Sequence, residues 1–427
     1  MMRFEEVVQA VRTKAEAGDP EAQHLMGLAY GGSCDDFDGA AGWIQTAMGK
    51  GIVPVQDVSE ILQVSGARGA GDEQETAGWF RQAARQGTAQ AQCGPDNVHD
   101  DGADKDLNYI DAARWHKMAA DQGNAEAQFV LGLAYEFGLG VKRSNADAMR
   151  WHTKAAQQGH ATAQLQLGLM YARGQGVKRD DIQAARWFRA AAEQGVAGAQ
   201  NSLGTMYLQG LGVGQDDVEA VRWYRKAADQ GDMTAQYNLG MVYHGGFGVE
   251  EDDPEAARWY EKAAEQGHAE AQHLLGSMYA RGEGVTRDQA EAARWTKKAA
   301  EQGLARAQND LGVMYTQGAG MKQDNAEAVR WFGMAAEQGD KKAQYNLGVM
   351  YHAGVGVRED HAEAARWYRE AADQGHEDAR QNLEELLQSA PPATGHDHLK
   401  TAPGSGKAGG SAFVRSVLGF FKSGHRR

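Results

Sequence analysis

The chain has 427 residues, of which 55 are glycine and only 7 are proline. Charged residues make up 24% and hydrophobic residues 42%, so the composition is neither collagen-like nor that of a disordered, proline-rich chain. The net charge of −14 argues against a broad nucleic-acid interface, which needs a surplus of Lys and Arg. The chain has only two cysteines, Cys34 and Cys93, so disulfides cannot stabilise a fold of this length. The fold must therefore depend on apolar packing, which suits a reducing compartment.

The sequence shows no targeting or membrane segment. Its first residues, Met-Met-Arg-Phe-Glu-Glu, lack an apolar signal region, and no apolar run reaches the roughly 18 residues of a membrane span. We therefore expect a cytoplasmic protein.

All ten tryptophans recur with a period of 36 residues, beginning at Trp43 and Trp79. A fixed period of this size indicates a solenoid, in which each unit buries its apolar face against its neighbours. We expect the later tryptophans to be structural residues that fill the interfaces between helices: Trp115, Trp151, Trp187, Trp223, Trp259, Trp295, Trp331 and Trp367.

The N-terminal quarter keeps this period but loses much of the surrounding pattern. Residues 1–20 predict a capping helix, and residues 21–111 predict degenerate repeats. The stretch 93–106 has almost nothing to bury, and its Pro95 removes a backbone donor, so we expect a loose or kinked joint there. An EF-hand interpretation of its acidic residues is disfavoured, because His99 stands where an oxygen ligand is required.

Residues 112–378 carry two amphipathic helices per repeat in full register. The Trp helix contains the tryptophan, begins at an Asp-x-x-Glu capping box and ends at a glycine. The Gln helix contains Ala-Gln-x-x-Leu-Gly, as in residues 163–168, and its glutamine is expected to satisfy backbone groups between repeats. The glycine inside this helix costs about 1 kcal/mol relative to alanine, so we expect the partner helix to approach closely there.

Each regular repeat follows the motif Ala-x-x-Trp-Tyr-x-x-Ala-Ala-x-Gln-Gly-x-x-x-Ala-Gln-x-x-Leu-Gly-x-Met-Tyr-x-x-Gly-x-Gly-Val. This motif resembles the Sel1-like repeat, a longer relative of the tetratricopeptide repeat. The resemblance implies an all-α fold, an α/α superhelical solenoid of about ten 36-residue helix-turn-helix repeats with a concave binding face. It also implies a role as a scaffold or adaptor.

The positions one, five and eight residues after the repeat glutamine share one face of the Gln helix and vary between repeats. By analogy with tetratricopeptide repeats, this face lines a groove that binds a protein or peptide. The alternative is that it packs against neighbouring Gln helices, but recurring Tyr, Asn and His favour recognition. The candidate partner-binding residues are Phe129, Leu165, Asn201, Tyr237, His244, His273, Asn309, Tyr345 and His352.

The C-terminal region departs from the repeat pattern. Residues 379–388 predict a capping helix, and residues 389–410 predict a flexible linker rich in Pro, Gly, Ala and Ser. Residues 411–427 place apolar side chains on one helical arc and basic ones opposite, which predicts weak peripheral membrane contact or docking into a partner groove; an unused, disordered terminus is the alternative. The candidate contact residues are Phe413, Arg415, Val417, Phe420, Phe421 and Lys422.

Two function classes fit the sequence. The favoured one is a non-catalytic scaffold that binds a protein or peptide, without cofactor, catalytic residues or metal and with an undetermined oligomeric state. The alternative is a hydrolase of the β-lactam or peptidoglycan-related type, because some secreted relatives of this repeat family are associated with that chemistry. Those relatives carry a disulfide in each repeat, which this chain lacks, and no Ser-x-x-Lys motif occurs in it.

Overall fold

The computed structural model describes residues 4–30, 46–47, 50 and 103–389. This part of the chain contains eighteen α-helices and no strand, and helices adjacent in sequence pack as pairs that repeat along the chain. The prediction of an all-α solenoid of helix pairs is therefore confirmed. The helices belong to two compact units, residues 1–216 and residues 217–427.

The first unit holds eight of these helices. They are α1 (Phe4–Glu16), α2 (Pro20–Tyr30), α3 (Ala103–Asp121), α4 (Ala125–Phe137), α5 (Asn145–Gln157), α6 (Ala161–Arg173), α7 (Asp181–Glu193) and α8 (Ala197–Gln209).

The second unit holds the other ten. They are α9 (Asp217–Asp229), α10 (Met233–Gly245), α11 (Asp253–Glu265), α12 (Ala269–Arg281), α13 (Gln289–Glu301), α14 (Ala305–Gln317), α15 (Asn325–Glu337), α16 (Lys341–Ala353), α17 (His361–Asp373) and α18 (Glu377–Ser389). The predicted joint lies outside the described residues up to position 102, as does all of the chain after Ser389, including Phe413, Arg415, Val417, Phe420, Phe421 and Lys422.

Helices α2 and α3 pack against each other as one pair, although residues 31–102 separate them in sequence. The pair copies the contacts of a regular repeat. Gln122 donates a side-chain hydrogen bond to Gln23, and the rings of His24 and His116 lie 5.3 Å apart. Helix α2 thus takes the place of the Gln helix that precedes α3 in the repeat pattern.

The predicted helix ends are present. Asp252 accepts a hydrogen bond from the Glu255 backbone N–H at 2.9 Å, so its side chain closes the first turn of α11. Gly174 ends α6 in the left-handed conformation, with φ of 68°. The next loop glycine, Gly176, also has positive φ, and a Cβ there would lie 2.3 Å from the Asn145 carbonyl oxygen. The Gly-x-Gly loop therefore lies directly on the start of the preceding Trp helix.

The glycine inside each Gln helix faces a side chain of its Trp helix at very short range. A Cβ at Gly240 would lie 2.7 Å from the Tyr260 ring, and a Cβ at Gly168 would lie 2.5 Å from the Phe188 ring. Such distances leave room only for hydrogen. The expected close approach of the partner helix is confirmed, and it explains why glycine stands where alanine would favour the helix.

The side chain that fills this contact is the residue after the tryptophan, not the tryptophan itself. Tyr260, Phe332 and Tyr368, which meet the glycines of their Gln helices, are fully buried. Among the tryptophans, Trp259, Trp295 and Trp367 are buried, whereas Trp115, Trp151, Trp187, Trp223 and Trp331 are only half-buried. The tryptophans border the helix interface, and their exposed ring faces carry basic side chains such as Lys226, which lies 3.9 Å from the centre of the Trp223 ring.

The repeat glutamines link consecutive helices by a chain of hydrogen bonds. Gln164 donates to the Ala156 carbonyl at 3.1 Å, and its own side-chain oxygen accepts from Gln194 at 2.7 Å. Gln272 makes the same bonds to Ala264 and Gln302. Each buried amide thus has both partners, which confirms the predicted role of these glutamines between repeats.

The glycine contact predicts opposite effects for two Gly→Ala substitutions. Gly240→Ala should destabilise the protein by roughly 1–3 kcal/mol, because the new Cβ overlaps the Tyr260 ring. Gly333→Ala should stabilise it by about 1 kcal/mol, because the Cβ would meet no atom within 4 Å in α15. Urea unfolding measures both, and equal effects of the two substitutions would contradict the packing argument.

A second prediction concerns His152, whose ring packs on Gly132 and whose two ring nitrogens lack hydrogen bonds in the described structure. Burial lowers the pKa of His152 to about 4 from 6.5. Between these values the unfolded chain binds the proton and the folded chain does not, so stability falls as pH drops from about 6.5 towards about 4.

The equivalent residue in the next repeat is Phe188, so we expect His152→Phe to remove this loss of stability. At pH about 5 the variant should be more stable than the parent by about 2 kcal/mol beyond any difference at pH about 8. Thermal melts of both proteins at the two pH values test this, since every other titrating group is common to both. A constant difference would show that the histidine is not buried in its neutral form.

Candidate functional site

A groove crosses four Gln helices of the second unit, α10, α12, α14 and α16. It encloses a cavity of about 410 Å³. The exposed parts of its lining come from these four helices. They include Met241, His244, Arg281, Arg306, Asp310 and Lys342.

The groove brings together three of the predicted partner-binding residues: His244, His273 and Asn309. Tyr237, which is half-buried beside it, and Tyr345 and His352 are not part of its lining. Phe129, Leu165 and Asn201 are half-buried on the Gln helices of the first unit. The variable positions therefore line a groove in the second unit, around α12.

Two of the predicted residues are buried rather than exposed. Tyr345 is 8% exposed, and its ring stacks on His376 with ring centres 4.5 Å apart. Asn309 is 5% exposed and accepts a hydrogen bond from Asn346 at 2.9 Å. For these two positions the expectation of exposed anchors is corrected: packing against the neighbouring Gln helix uses most of their surface.

The cavity exists because a small residue stands in its floor. Ser277 occupies the position five residues after the repeat glutamine, where other repeats have Leu169, Val313 and Val349. Beside this serine, Met241 is 40% exposed. The position equivalent to Met241 in α16 is Val349, which is only 3% exposed. The position equivalent to Ser277 in the next Gln helix, α18, is Glu385.

Two histidine–aspartate pairs lie beside Ser277, and both of their histidines line the cavity. His273 Nε2 lies 2.8 Å from an Asp310 carboxylate oxygen, and His244 Nδ1 lies 2.6 Å from Asp253. Ser277 lies in the same groove but makes no hydrogen bond to His273 in the described structure. The two histidine–aspartate pairs and the serine hydroxyl offer hydrogen-bond donors and acceptors to a bound group.

Tyr260 forms part of the groove lining, and its hydroxyl has no hydrogen-bond partner among the described residues. Burial raises the pKa of this hydroxyl, so it stays protonated. In the homologous position the Tyr368 hydroxyl lies 3.4 Å from His352 Nδ1, whereas His244 is held by Asp253 instead. The cavity therefore contains an unsatisfied donor, whose burial without a partner costs about 1–3 kcal/mol.

The end of the groove at α14 and α16 carries two cations, Arg306 and Lys342, and two carboxylates, Asp310 and Asp340. Arg306 and Lys342 stand in the first turns of these helices, are exposed, and form no ion pair within the described part of the chain. The carboxylates nearby are otherwise engaged: Asp310 with His273, and Asp340 with the Ala343 backbone N–H at 2.8 Å. Two cations thus face the groove without a counter-ion.

The sequence contained one signal that the repeat motif alone does not reveal. The residue after the repeat glutamine stacks on the residue that precedes the next Gln helix, and the two vary together. Phe129 stacks on His160 at 4.7 Å, and Tyr237 stacks on His268 at 4.5 Å, as Tyr345 does on His376. These pairs recur in every third repeat, so comparing positions 31 residues apart would have identified Tyr237 and Tyr345 as packing residues.

These histidines also cap helices. His268 Nδ1 accepts the Ala271 backbone N–H at 3.3 Å, and burial lowers the pKa of His268. A neutral ring is required, because Nδ1 accepts only when it carries no proton.

Within the described residues, no group of three or more His, Cys, Asp or Glu side chains is arranged to hold a metal ion. None of the helices there has the length and apolar character to cross a membrane.

Comparison with known proteins gives consistent matches. The family model of the Sel1 repeat matches nine consecutive segments of the chain: residues 66–88, 88–124, 125–160, 161–196, 197–232, 234–268, 269–304, 305–340 and 341–376. No curated protein matches the chain.

Among solved structures, the chain is similar to a protective antigen present in uropathogenic Escherichia coli strains, described as displaying an SLR fold. The identity is 34% and the TM-score 0.61, over 89% of this chain and 82% of that one. A Sel1 repeat protein from Oxalobacter formigenes is also 34% identical, with a TM-score of 0.55 over 74% of this chain and 87% of that one.

The burial of Tyr345 and the exposure of His244 predict different consequences of alanine substitution. Tyr345→Ala should destabilise the protein by about 3 kcal/mol, the scale of aromatic truncations in a core. His244→Ala should change stability by less than about 1 kcal/mol, because its pair with Asp253 is exposed. Chemical unfolding of both variants measures these changes. If Tyr345→Ala left the free energy of unfolding unchanged, Tyr345 would not be a core residue.

Proposed function

This chain belongs to the Sel1 repeat family, and from that premise we propose that it is a non-catalytic scaffold that binds a protein or peptide segment in the groove of α10, α12, α14 and α16. Sel1 repeat proteins are generally protein-interaction scaffolds, and their solenoid is generally non-catalytic. The observation that carries the proposal for this chain is the cavity above Ser277, which variable residues such as Met241 and His244 line together with the core residues Tyr260 and Met278.

The chemistry of the groove suits a peptide with an apolar side chain followed by a carboxylate. The apolar side chain enters the cavity beside Met241 and Met278. Arg306 and Lys342 have no counter-ion of their own and pair with the carboxylate. Neighbouring helices lie about 8–10 Å apart, so an extended segment of about six residues reaches from α12 to α16.

Charge and composition agree with a protein partner. The net charge of −14 opposes contact with nucleic-acid phosphates, whereas an acidic segment can pair with the two cations at the α14 and α16 end of the groove, Arg306 and Lys342. Two cysteines in 427 residues fit a reducing, cytoplasmic setting. Nothing in the geometry favours the hydrolase alternative, since Ser277 has no hydrogen bond to a base.

Selection from a phage-displayed random peptide library tests this function. Peptides enriched on the full chain should carry an apolar residue and an acidic residue, and Met241→Glu should abolish their binding. Lys342→Glu should weaken it about tenfold, because a favourable charge contact becomes a repulsive one.

Lys341→Glu provides the matched control. Lys341 is the neighbouring residue in the same first turn, is equally exposed and does not line the groove, so the same charge change should leave binding within about twofold. If Lys341→Glu weakens binding as much as Lys342→Glu does, the interaction depends on general charge and not on this groove. Enrichment of no peptide by the full chain would also contradict the proposal.

A further inference from the structure

Helix α18 is a Gln helix without a Trp helix to cover it among the described residues. In the repeat before it, α16 packs on α17, and Tyr368 covers Gly348 so closely that a Cβ there would lie 2.6 Å from the ring. The position equivalent to Gly348 in α18 is Glu384, which is exposed. The side chain of Glu384 leaves no room for the close ring contact that Tyr368 makes with Gly348.

The uncovered face of α18 is apolar. Leu347 of α16 is buried under α17, but the equivalent Leu383 of α18 is only half-buried. Leu387, which stands where α16 has Tyr351, is 56% exposed. Two leucines one helical turn apart thus form a hydrophobic strip that is more exposed than its equivalent in α16, where Leu347 is buried and Tyr351 is half-buried.

Helix α18 as a whole is acidic. It carries Glu377, Asp378, Glu384 and Glu385 against a single basic residue, Arg380, and of the four carboxylates Glu384 borders the leucine strip. Arg380 pairs with Glu377 at 2.9 Å, which leaves Glu384, beside the leucine strip, with no ion pair to any described residue. An occupant of this face therefore needs apolar side chains on one side and basic ones at its border.

We propose that residues 411–427 of the same chain dock on the Leu383–Leu387 face of α18, in the place that a Trp helix takes in the other repeats. The segment has the required pattern, with Phe413, Val417, Phe420 and Phe421 on its apolar arc and Lys422 and Arg426 among its basic residues. This inference stands independently of the groove proposed above.

The connection is long enough. A Trp helix begins eight residues after its Gln helix ends, as from Ala353 to His361, whereas residues 390–410 separate α18 from the docking segment. That linker spans about 70 Å when extended, more than three times the roughly 20 Å length of α18. The extra length and the Pro, Gly, Ala and Ser composition permit a choice of orientation on the helix.

Tethering favours the chain's own segment over other occupants. A short flexible linker gives an effective concentration in the millimolar range, so even a weak contact between apolar strips is formed most of the time. A second copy or an anionic membrane must compete with that concentration. The acidic helix α18 is in addition repelled by an anionic membrane and attracts the basic segment.

A photo-crosslinker on α18 tests the contact in the full chain. p-Benzoylphenylalanine in place of Leu387 should crosslink to peptides from residues 411–427. The control position is Met334 in α15, another exposed apolar side chain of the same unit, which should give no such product. In an equal mixture of light and heavy-isotope chains, the crosslinked peptides should come from one chain.

Two further variants change the docking segment and leave the described helices intact. Phe420→Asp should abolish the product with an unchanged circular dichroism spectrum. Lys422→Glu should lower its yield about threefold, and Glu384→Lys in the same chain should restore the yield.

Each of the other occupants gives a distinct result. Products that join light to heavy chains would overturn the proposal in favour of a second copy. Flotation of the full chain with phosphatidylserine vesicles, together with loss of the Leu387 crosslink, would overturn it in favour of a membrane. Equal yields from Leu387 and Met334 would overturn it outright, because the segment would then have no preferred site on the protein.

Discussion

The contact on which this fold depends is the one between the glycine inside each Gln helix and the side chain that follows the tryptophan in its partner. At Gly240 the Tyr260 ring lies where a methyl group would otherwise stand, and the same holds at Gly312 for Phe332. A glycine inside a helix weakens that helix, so the repeat forms only if the two helices meet and bury the ring. Each helix pair is therefore stable as a pair, and consecutive pairs add through the glutamine hydrogen bonds, as from Gln338 to Gln308.

Much of this could be predicted from the sequence because it follows from local patterns. The 36-residue period, the Asp-x-x-Glu starts and the glycine ends each describe a few adjacent residues, and the structure has the helices, caps and glutamine bonds that they predict. The expectation for the tryptophans differs from the structure in one respect. Their size and invariance suggested that they fill the helix interface, but the direction of the side chains places Phe332 in the contact with Gly312 and leaves Trp331 at its border.

The site was less predictable because exposure at a variable position depends on the neighbouring repeat. Tyr237 and Tyr345 have the same surroundings in their own sequence segment, yet Tyr345 is buried and Tyr237 is half-buried. What differs is the next Gln helix, which offers Ser277 beside one and Glu385 beside the other. A cavity formed by the absence of side-chain volume has no motif, so it is visible only when three neighbouring helices are placed together.

Packing also decides which groove positions are free to determine specificity. The residue directly after the repeat glutamine is tied to the next repeat, as Tyr237 is to His268, so changing it alone breaks a stack and weakens a cap. The positions five residues after the glutamine, such as Met241 and Ser277, carry no such stack and differ in exposure. The solenoid keeps its helix pairs while these positions change, so the proposed scaffold function places partner choice at them, one repeat at a time.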